Sequence, residues 1–424
     1  MSRFVVTGGH VIDPIGGTDR ITSIAIQGDR IVELDATPQA DDCVLDVAGL
    51  IVSPGLIDLC TQLREPGFED DETIATGAKA AIRGGFTTIA CVPNTDPPID
   101  TQAGVEFILN QSRLVDLCRV EVLACVSKGR EGKELAELGS LSAAGAIGFT
   151  DATSPIFNAD LMRRALEYCQ MFRRPILNRP EVPELNRDGV MHEGVTSTIL
   201  GLSGMPAEAE DVMAGRDVRL AEATHCPVHL LGISCKDTVD LIRRSKQRNV
   251  PVSASIAAIN LTVDDSTLRS FDTNWKINPP LRSQDHIDSC IAGVADGTID
   301  AIISNHAPRA AEKKMDVLDT APYGMVGLET VLGIVGSHLV RPGHVSWARA
   351  IELLSSNPAK ILGLPDRGTL RPGSLADLTI FDPSEQWTVD TKQFASRSSN
   401  SPLHGWKLLG RTKHVIVGGR IKVS

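Results

Sequence analysis

The sequence is poor in aromatic residues and carries no excess of positive charge. Only 4% of its 424 residues are aromatic, and 42 Lys and Arg stand against 53 Asp and Glu, giving a formal net charge of -11. Such an acidic chain offers no broad basic surface to a phosphate backbone, so nucleic acid is not an expected partner. The first thirty residues also lack an export signal and an apolar run long enough to cross a bilayer. We therefore expect no membrane association.

Paired cysteines are missing as well. Nine cysteines are spread along the chain without a C-x-x-C pair, a distribution that suits reduced thiols better than disulfides. We expect a cytoplasmic protein on this basis. The length is sufficient for one barrel of roughly 250 residues together with a smaller domain.

Short β-rich runs occupy both ends of the chain. FVVTGGHVID and SIAIQGDRIVEL in the first fifty residues share their texture with GTLRPGSLADLTIFD and HVIVGGRIKV near the end, and Gly and Asp interrupt the runs as they do in hairpins. We predict that residues 1–50 and 365–424 fold together as one composite β-sandwich domain.

Between residues 51 and 364, apolar strands alternate with amphipathic helices. The candidate strands are IVSPGLIDL, FTTIACVP, VEVLACV, AIGFT, PILN, PVHLLGI, PVSASI and IDAIIS. Eight strands alternating with helices predict an α/β fold of the TIM (β/α)8 type. One helix is predicted in detail, because Asn158 is a suitable N-cap and is followed by an apolar stripe with helical spacing. That stripe consists of Leu161, Ala165, Cys169 and Phe172.

Chemistry in such barrels is performed at the C-terminal ends of the strands. The residues at those ends are Cys60 and Gln62, Asp151 and Ala152, Arg179, Gly232, and Asn305 and His306. A zinc site needs three or four ligands from His, Cys and carboxylate side chains. Only Cys60, Asp151 and His306 are of that type.

Arg179 argues against a metal more directly than the missing ligands do. A guanidinium does not lose its proton in proteins, so it places a fixed positive charge where a dication would lie. At roughly 4 Å and an effective dielectric constant near 20, two unit charges repel by about 4 kcal/mol, and a divalent ion doubles that. We therefore predict no metal cofactor.

The chain resembles the dihydroorotases of the amidohydrolase superfamily from its first strands to its last. The stretches that carry the resemblance are PGLIDL, QLREPGFED, ETI, GGFTTIACVPNT, LMRRALEY, GVMHEGV, KINPPLR, SNHAPR, PYGMVGLET and NPAKILGL. The resemblance implies an amidohydrolase-type barrel and a place in pyrimidine biosynthesis.

The resemblance also implies a metal site that has been lost. The two histidines of the first strand correspond to Cys60 and Gln62, those of strands five and six to Arg179 and Gly232, and the aspartate that acts as general base to Asn305. A further family histidine corresponds to Arg309, and the carboxylate of strand four corresponds to Asp151 or Ala152. These replacements remove the activator of water, the electrophile and the base together. The resemblance thus implies a pseudoenzyme with no catalytic residues.

Four other family positions are retained. Arg64 and Asn94 match residues that bind the substrate carboxylate, and Asn278 and His306 lie in matching motifs. These four residues are candidates for a vestigial anion-binding pocket, or they persist as part of a hydrogen-bonded framework. A cluster of His225, Cys226 and His229 invites a zinc hypothesis, but a structural role is the expected one.

Three functions follow as hypotheses. The first is a noncatalytic subunit of aspartate carbamoyltransferase, because some bacteria carry a ligand-less dihydroorotase relative of this kind. In that hypothesis trimers of the transferase catalytic chain are joined through dimers of this protein, as in a dodecamer. The second is a metal-independent hydrolase in which Cys60 is the nucleophile and His306 its base. The third is a sensor that binds dihydroorotate or carbamoyl aspartate without turnover.

Overall fold

The structure is a computed structural model and describes residues 3–423. Its strands, in chain order, are β1 Phe4–Thr7, β2 His10–Asp13, β3 Thr18–Ile21, β4 Ile24–Gln27, β5 Arg30–Leu34, β6 Cys43–Asp46, β7 Ile51–Pro54, β8 Leu56–Thr61, β9 Phe86–Cys91, β10 Arg119–Ala124, β11 Gly148–Phe149, β12 Ile176–Asn178, β13 Met191–His192, β14 Gly204–Met205, β15 Val228–Leu230, β16 Val252–Ala257, β17 Ala301–Ile303, β18 Leu378–Thr388, β19 Lys407–Val417 and β20 Arg420–Val423. Its α-helices are α1 Ile74–Gly84, α2 Gln102–Val115, α3 Leu138–Ala143, α4 Ala159–Cys169, α5 Val195–Leu200, α6 Glu208–Thr224, α7 Lys236–Gln247, α8 Gln284–Asp296, α9 Ala311–Lys314, α10 Val331–Val335, α11 Trp347–Ile351 and α12 Asn357–Leu362. None of these helices is long and apolar enough to span a membrane.

Eight parallel strands form the barrel, in the order β8-β9-β10-β11-β12-β15-β16-β17. The first and last strands meet where Thr61 bridges His306 and the Gln62 amide donates to the His306 carbonyl over 2.9 Å. The strands are short apolar runs whose side chains are almost all buried, as expected when helices cover the outside of a parallel sheet. The predicted TIM-type barrel is therefore confirmed.

The predicted helix after strand four is confirmed together with its cap. Helix α4 begins behind Asn158, whose side-chain oxygen accepts from the amides of Asp160 and Leu161. Leu161, Ala165 and Cys169 are buried on its inner face, so the apolar stripe is barrel packing. Phe172 lies in the single 3-10 turn that follows.

Both ends of the chain build the second domain. A six-stranded sheet has the order β20-β19-β18-β7-β2-β3, and a four-stranded sheet has the order β5-β4-β1-β6. The apolar core between them is drawn from both ends of the chain and includes Val6, Ile24, Val52, Leu378 and Ile416. The terminal sheets thus pack as a sandwich.

One strand belongs to a different sheet than the sequence suggests. IVSPGLIDL was expected to be one barrel strand, but its first part, β7, pairs with β2 and β18 of the terminal sheet. The change of sheet occurs at Gly55, where an added Cβ would lie 2.0 Å from Oγ1 of Thr87. Only glycine fits in such close contact with Thr87. The chain passes from the sandwich to the barrel at this residue, and the first barrel strand begins at Leu56.

Candidate functional site

The strand ends of the barrel bring the predicted positions to one buried mouth. Cys60 lies at the end of β8 and Gln62 directly follows it, while Arg179 follows β12, Gly232 follows β15 and Asn305 follows β17. The four of these residues other than Gly232 are at least 95% buried. The mouth is therefore a packed polar layer rather than a solvent-filled cup.

Arg179 lies at the centre of this layer. Its guanidinium donates to the Asn278 carbonyl, and the Asn305 side-chain amide donates to the same carbonyl over 3.0 Å. A Cβ added at Gly232 would lie 3.6 Å from Nη2 of Arg179, so the residue that lacks a side chain borders the one with the largest. Burial lowers the pKa of Arg179, and the nearby Cys60 and Glu181 oppose that shift.

Cys60 is held as an inert thiol. Its Sγ lies 3.8 Å from Oδ1 of Asn305, and burial raises its pKa to about 12, with only the charge of Arg179 acting in the other direction. The thiolate is the nucleophilic form of cysteine. At neutral pH this side chain is a protonated thiol in contact with an amide.

His306 is not positioned to serve as the base of Cys60. Its Nδ1 accepts from the Gly327 amide over 3.3 Å, and its Nε2 lies 3.4 Å from Oε2 of Glu72. The ring is fully buried, and Glu72 is in turn bound by Ser396 and by the amide of Arg397. Both ring nitrogens of His306 are therefore engaged by Gly327 and Glu72, in the loops around the end of β17. The hypothesised Cys60–His306 pair does not form.

Gln62 changes what Asn94 can bind. The Asn94 side-chain amide donates to Oε1 of Gln62 over 2.9 Å, while Oδ1 of Asn94 is buried without a hydrogen-bond partner in residues 3–423. Gln62 thus engages one of the two N–H groups of the Asn94 amide. Beside it, Asn94 presents an acceptor, Oδ1, that no residue of the described chain pairs.

Arg64 retains a free donor. Its Nε donates to the Pro308 carbonyl over 3.2 Å, but its Nη2 is buried without a partner in the described part of the chain. Burial, followed by the repulsion of Arg309, lowers the pKa of Arg64 to about 9. An arginine in this condition is suited to an incoming anion.

Asn278 and Asp151 are used internally. The Asn278 side-chain amide donates one of its N–H groups to Oε2 of Glu181 over 2.8 Å. The Asp151 carboxylate accepts from the amides of Val126 and Ser127 and from the Ser127 hydroxyl, over 2.9, 3.1 and 2.5 Å. Burial raises the pKa of Asp151. Its neighbour Ala152 is apolar and fully buried, so neither candidate for the strand-four carboxylate presents oxygen atoms to the mouth.

The cluster around His229 is structural. His229 is buried, and its two ring nitrogens lie 2.9 Å from Oγ of Ser253 and 3.0 Å from Oγ of Ser255. Burial lowers its pKa to about 3. His225 stands at the left-handed C-cap of α6, outside that buried pair.

The residues of the mouth do not fit the zinc site that the resemblance implies. Within residues 3–423 no group of three or more His, Cys, Asp or Glu side chains is arranged to hold an ion. Arg179 adds a fixed positive charge beside Cys60, and Arg309 lies 3.5 Å from Asp71 with a second cation, Lys313, at 2.8 Å from the same carboxylate. Zinc would meet a guanidinium, an amide and a protonated thiol at this place.

The sequence interpretation missed the carboxylates that organise the mouth. Asp58 accepts from the Ser304 amide over 2.7 Å and from the Thr61 hydroxyl, and so ties the first barrel strand to the last. Glu72 anchors His306 as described above. Both lie inside the quoted stretches PGLIDL and ETI, but nothing in a linear sequence shows which loop a buried carboxylate will bind.

Comparisons with known proteins agree with this architecture. Residues 49–238 match the Dihydro-orotase-like family and residues 320–423 match the Amidohydrolase family. Proteins named dihydroorotase from Pelotomaculum thermopropionicum and from Geobacter sp. strain M21 are 44% and 43% identical over 420 and 422 residues. Those alignments cover 99% of this chain in both cases, and 98% and 99% of the relatives.

A solved structure supports the fold at lower identity. The L-hydantoinase (dihydropyrimidinase) of Arthrobacter aurescens superposes with a TM-score of 0.88 at 21% identity, covering 100% of this chain and 96% of the enzyme. Together with the barrel, the sandwich built from both chain ends and the full-length relatives, this shows that the chain belongs to the dihydroorotase-like family of the amidohydrolase fold.

Proposed function

We propose that this chain is a noncatalytic dihydroorotase-like protein of pyrimidine biosynthesis that acts as a partner subunit of aspartate carbamoyltransferase. The observation that carries the proposal is the position of Arg179, whose guanidinium is buried between Gly232, Asn278 and Cys60 at the mouth of the barrel. Because Arg179 fills the end of the barrel where a substrate would bind, the chain is better suited to assembly with a partner than to hydrolysis.

The side chains of the mouth lack the means to open a cyclic amide. Hydrolysis requires a base for the attacking water and an electrophile for the carbonyl oxygen. Asn305 has no protonation equilibrium near neutral pH, and its amide is bound to the Asn278 carbonyl. Cys60 is protonated and buried. Neither Asn305 nor Cys60 is therefore suited to act as the base, which supports the noncatalytic proposal.

An apolar surface at the same end of the barrel supports a protein partner. Val195 and Ile199 of α5, Phe271, Met315 and Val317 are each more than half exposed; we call these five residues the apolar rim. Their loops are joined, because α5 packs against the 3-10 turn Asp265–Ser270 and the Thr273 hydroxyl donates to the Lys314 carbonyl over 2.5 Å. Grouped exposed apolar side chains of this kind mark interaction sites, whereas single ones do not.

The experiment mixes the purified chain with the catalytic chain of aspartate carbamoyltransferase from the same cell. We expect a stable hetero-oligomer by light scattering, with mass consistent with transferase trimers joined through dimers of this protein. Ile199→Glu and Met315→Glu should weaken assembly because each buries a charge in the rim. Leu114→Glu, an equally exposed apolar residue on α2, is the matched control and should assemble normally.

The outcomes separate the hypotheses. Independent elution of the two chains with unchanged carbamoyl transfer would reject the partner proposal. Turnover of dihydroorotate by the purified chain would reject the noncatalytic one. Loss of any function on Cys60→Ala would favour the nucleophile hypothesis, which the buried, protonated state of Cys60 opposes.

A second candidate, ligand binding without turnover, is favoured by the unpartnered Nη2 of Arg64. Titration calorimetry with dihydroorotate and with carbamoyl aspartate tests it directly. Binding that Arg64→Met abolishes and Arg309→Met only weakens would establish the sensor. Equal heats for the wild type and Arg64→Met would eliminate it.

A further inference from the structure

A cavity lies at the opposite end of the barrel from the mouth. It has a volume of about 680 Å³ and is lined by the residues that begin three barrel strands, at Ile176, Val228 and Val252, together with the end of α4 and part of α12. Cavities of roughly 300–1,000 Å³ are typical of small-molecule sites. None of the strand-end residues of the mouth lines this cavity. His229 does line it, and its two ring nitrogens are occupied by the hydroxyls of Ser253 and Ser255.

The walls of this cavity are aliphatic. Leu166, Ile176, Val228, Val252 and Ile361 supply branched side chains, and among its lining residues in the described chain there is no Phe, Tyr or Trp. A ring system would find no stacking partner here. An alkyl chain, in contrast, makes its contacts through area alone and needs no particular geometry.

The opening of the cavity is basic. Arg173, Arg174 and Lys360 line it, and within residues 3–423 the ion pairs formed nearby involve other arginines, Arg163 with Glu167 and Arg164 with Asp160. Arg174 has a hydrogen bond of 3.4 Å to the Ser142 hydroxyl. The chain as a whole has a net charge of -11. Three cationic side chains at one cavity are therefore a local cluster of positive charge in an acidic protein.

The one carboxylate of the lining does not offset these cations. Both oxygens of Asp300 lie 2.7 Å from Nζ of Lys246, and Oδ2 also accepts from the Ala254 amide. Asp300 is thus neutralised from inside the fold. The cavity presents an apolar interior and a positive entrance.

We propose that this cavity binds an aliphatic anion, with the alkyl chain among the strand starts and a carboxylate or phosphate head at Arg173, Arg174 and Lys360. The inference does not depend on the function of the mouth. It would give the protein a small-molecule site on the face opposite the apolar rim.

The test is titration calorimetry of the full-length chain with decanoate, below its micelle concentration, against decanol as a neutral probe of the same length. Decanoate should bind with a stoichiometry of one, and decanol at least about 10-fold more weakly. Arg173→Ala and Lys360→Ala should each weaken decanoate by about 2- to 10-fold, since each removes one charge-assisted contact. Decyl phosphate distinguishes a phosphate head from a carboxylate head by its relative affinity.

Arg163→Ala on the exposed side of α4 is the matched control and should leave decanoate binding unchanged. Ile361→Trp should abolish binding by filling the interior. If that variant fails to fold in a thermal melt, the exposed Lys360→Ala variant decides the matter. Decanol binding as tightly as decanoate, an equal loss in Arg163→Ala, or no binding at millimolar decanoate would each overturn the proposal.

Discussion

The guanidinium of Arg179 and the bare backbone of Gly232 lie side by side, with 3.6 Å between Nη2 and the position a Cβ would take. Gly232 also has a φ of 72°, in the left-handed region. The two residues fit each other, because Gly232 has no side chain and so leaves space that the guanidinium of Arg179 occupies.

The first prediction concerns this pair. Gly232→Ala should lower the free energy of unfolding by about 1 kcal/mol, because an L side chain is strained at positive φ. Gly215→Ala in α6, where nothing lies within 4 Å of the new Cβ, should raise it by about 0.5–1 kcal/mol through helix propensity. Urea titrations of both variants measure the two signs. A stabilised Gly232→Ala would contradict the strain expected at this positive φ.

The second prediction concerns restoration of the metal site. Cys60→His with Gln62→His should yield neither bound zinc nor dihydroorotase turnover, because Arg179 still repels the ion and Asn305 cannot act as a base. Adding Arg179→His should be the first step at which zinc appears in elemental analysis. About one zinc per chain in the double variant would show that Arg179 does not exclude the ion.

A third prediction concerns His229. His229→Ala should cost about 2–4 kcal/mol of unfolding free energy, because it leaves Ser253 and Ser255 without their buried partner and opens a cavity. His225→Ala should change it by less than about 0.5 kcal/mol. Chemical denaturation distinguishes the two, and equal costs would point to a shared role such as a metal site.

The fourth prediction is a pH dependence centred on Glu329. Burial raises its pKa to about 7, against the amides of Ala395 and Ser396, which donate to its Oε1. The folded state therefore holds this proton more tightly than the unfolded state, so its contribution is favourable below the unfolded pKa and is lost as the pH rises toward 7. Glu329→Gln keeps the acceptor, and we expect it to be about 3 kcal/mol more stable than the wild type at pH 8 but equal to it at pH 4.

The measurement is the difference in unfolding free energy between variant and wild type across that pH range. Glu106→Gln, an exposed change on α2, should give a difference that does not vary with pH. A flat profile for Glu329→Gln as well would mean that its carboxylate is ionised in the folded state.

Most of the fold was open to prediction from the sequence, because its signals are local. The barrel strands are short apolar runs, and their composition alone predicts that they are buried. Asn158 caps its helix through the amides of residues two and three positions away. The assignment of Ile51–Pro54 failed because the change of sheet at Gly55 depends on contact with Thr87, which lies 32 positions further along the chain.

The site was predictable in composition but not in geometry. The replacements at Cys60, Gln62, Arg179, Gly232 and Asn305 are visible in the sequence, whereas their mutual use is not. The sequence could not show that Gln62 engages the amide of Asn94, or that His306 is committed to Glu72. Each of these contacts joins loops that follow different strands, so it exists only once the barrel has closed.

The position of β7 has a consequence for synthesis on the ribosome. In the sheet, this strand lies between β2, which is synthesised before it, and β18, which is synthesised more than three hundred residues later. During translation one edge of β7 therefore remains open while the entire barrel is produced. The nascent chain carries an unpaired strand edge for most of its synthesis, and the last strands complete the sandwich only when they leave the exit tunnel.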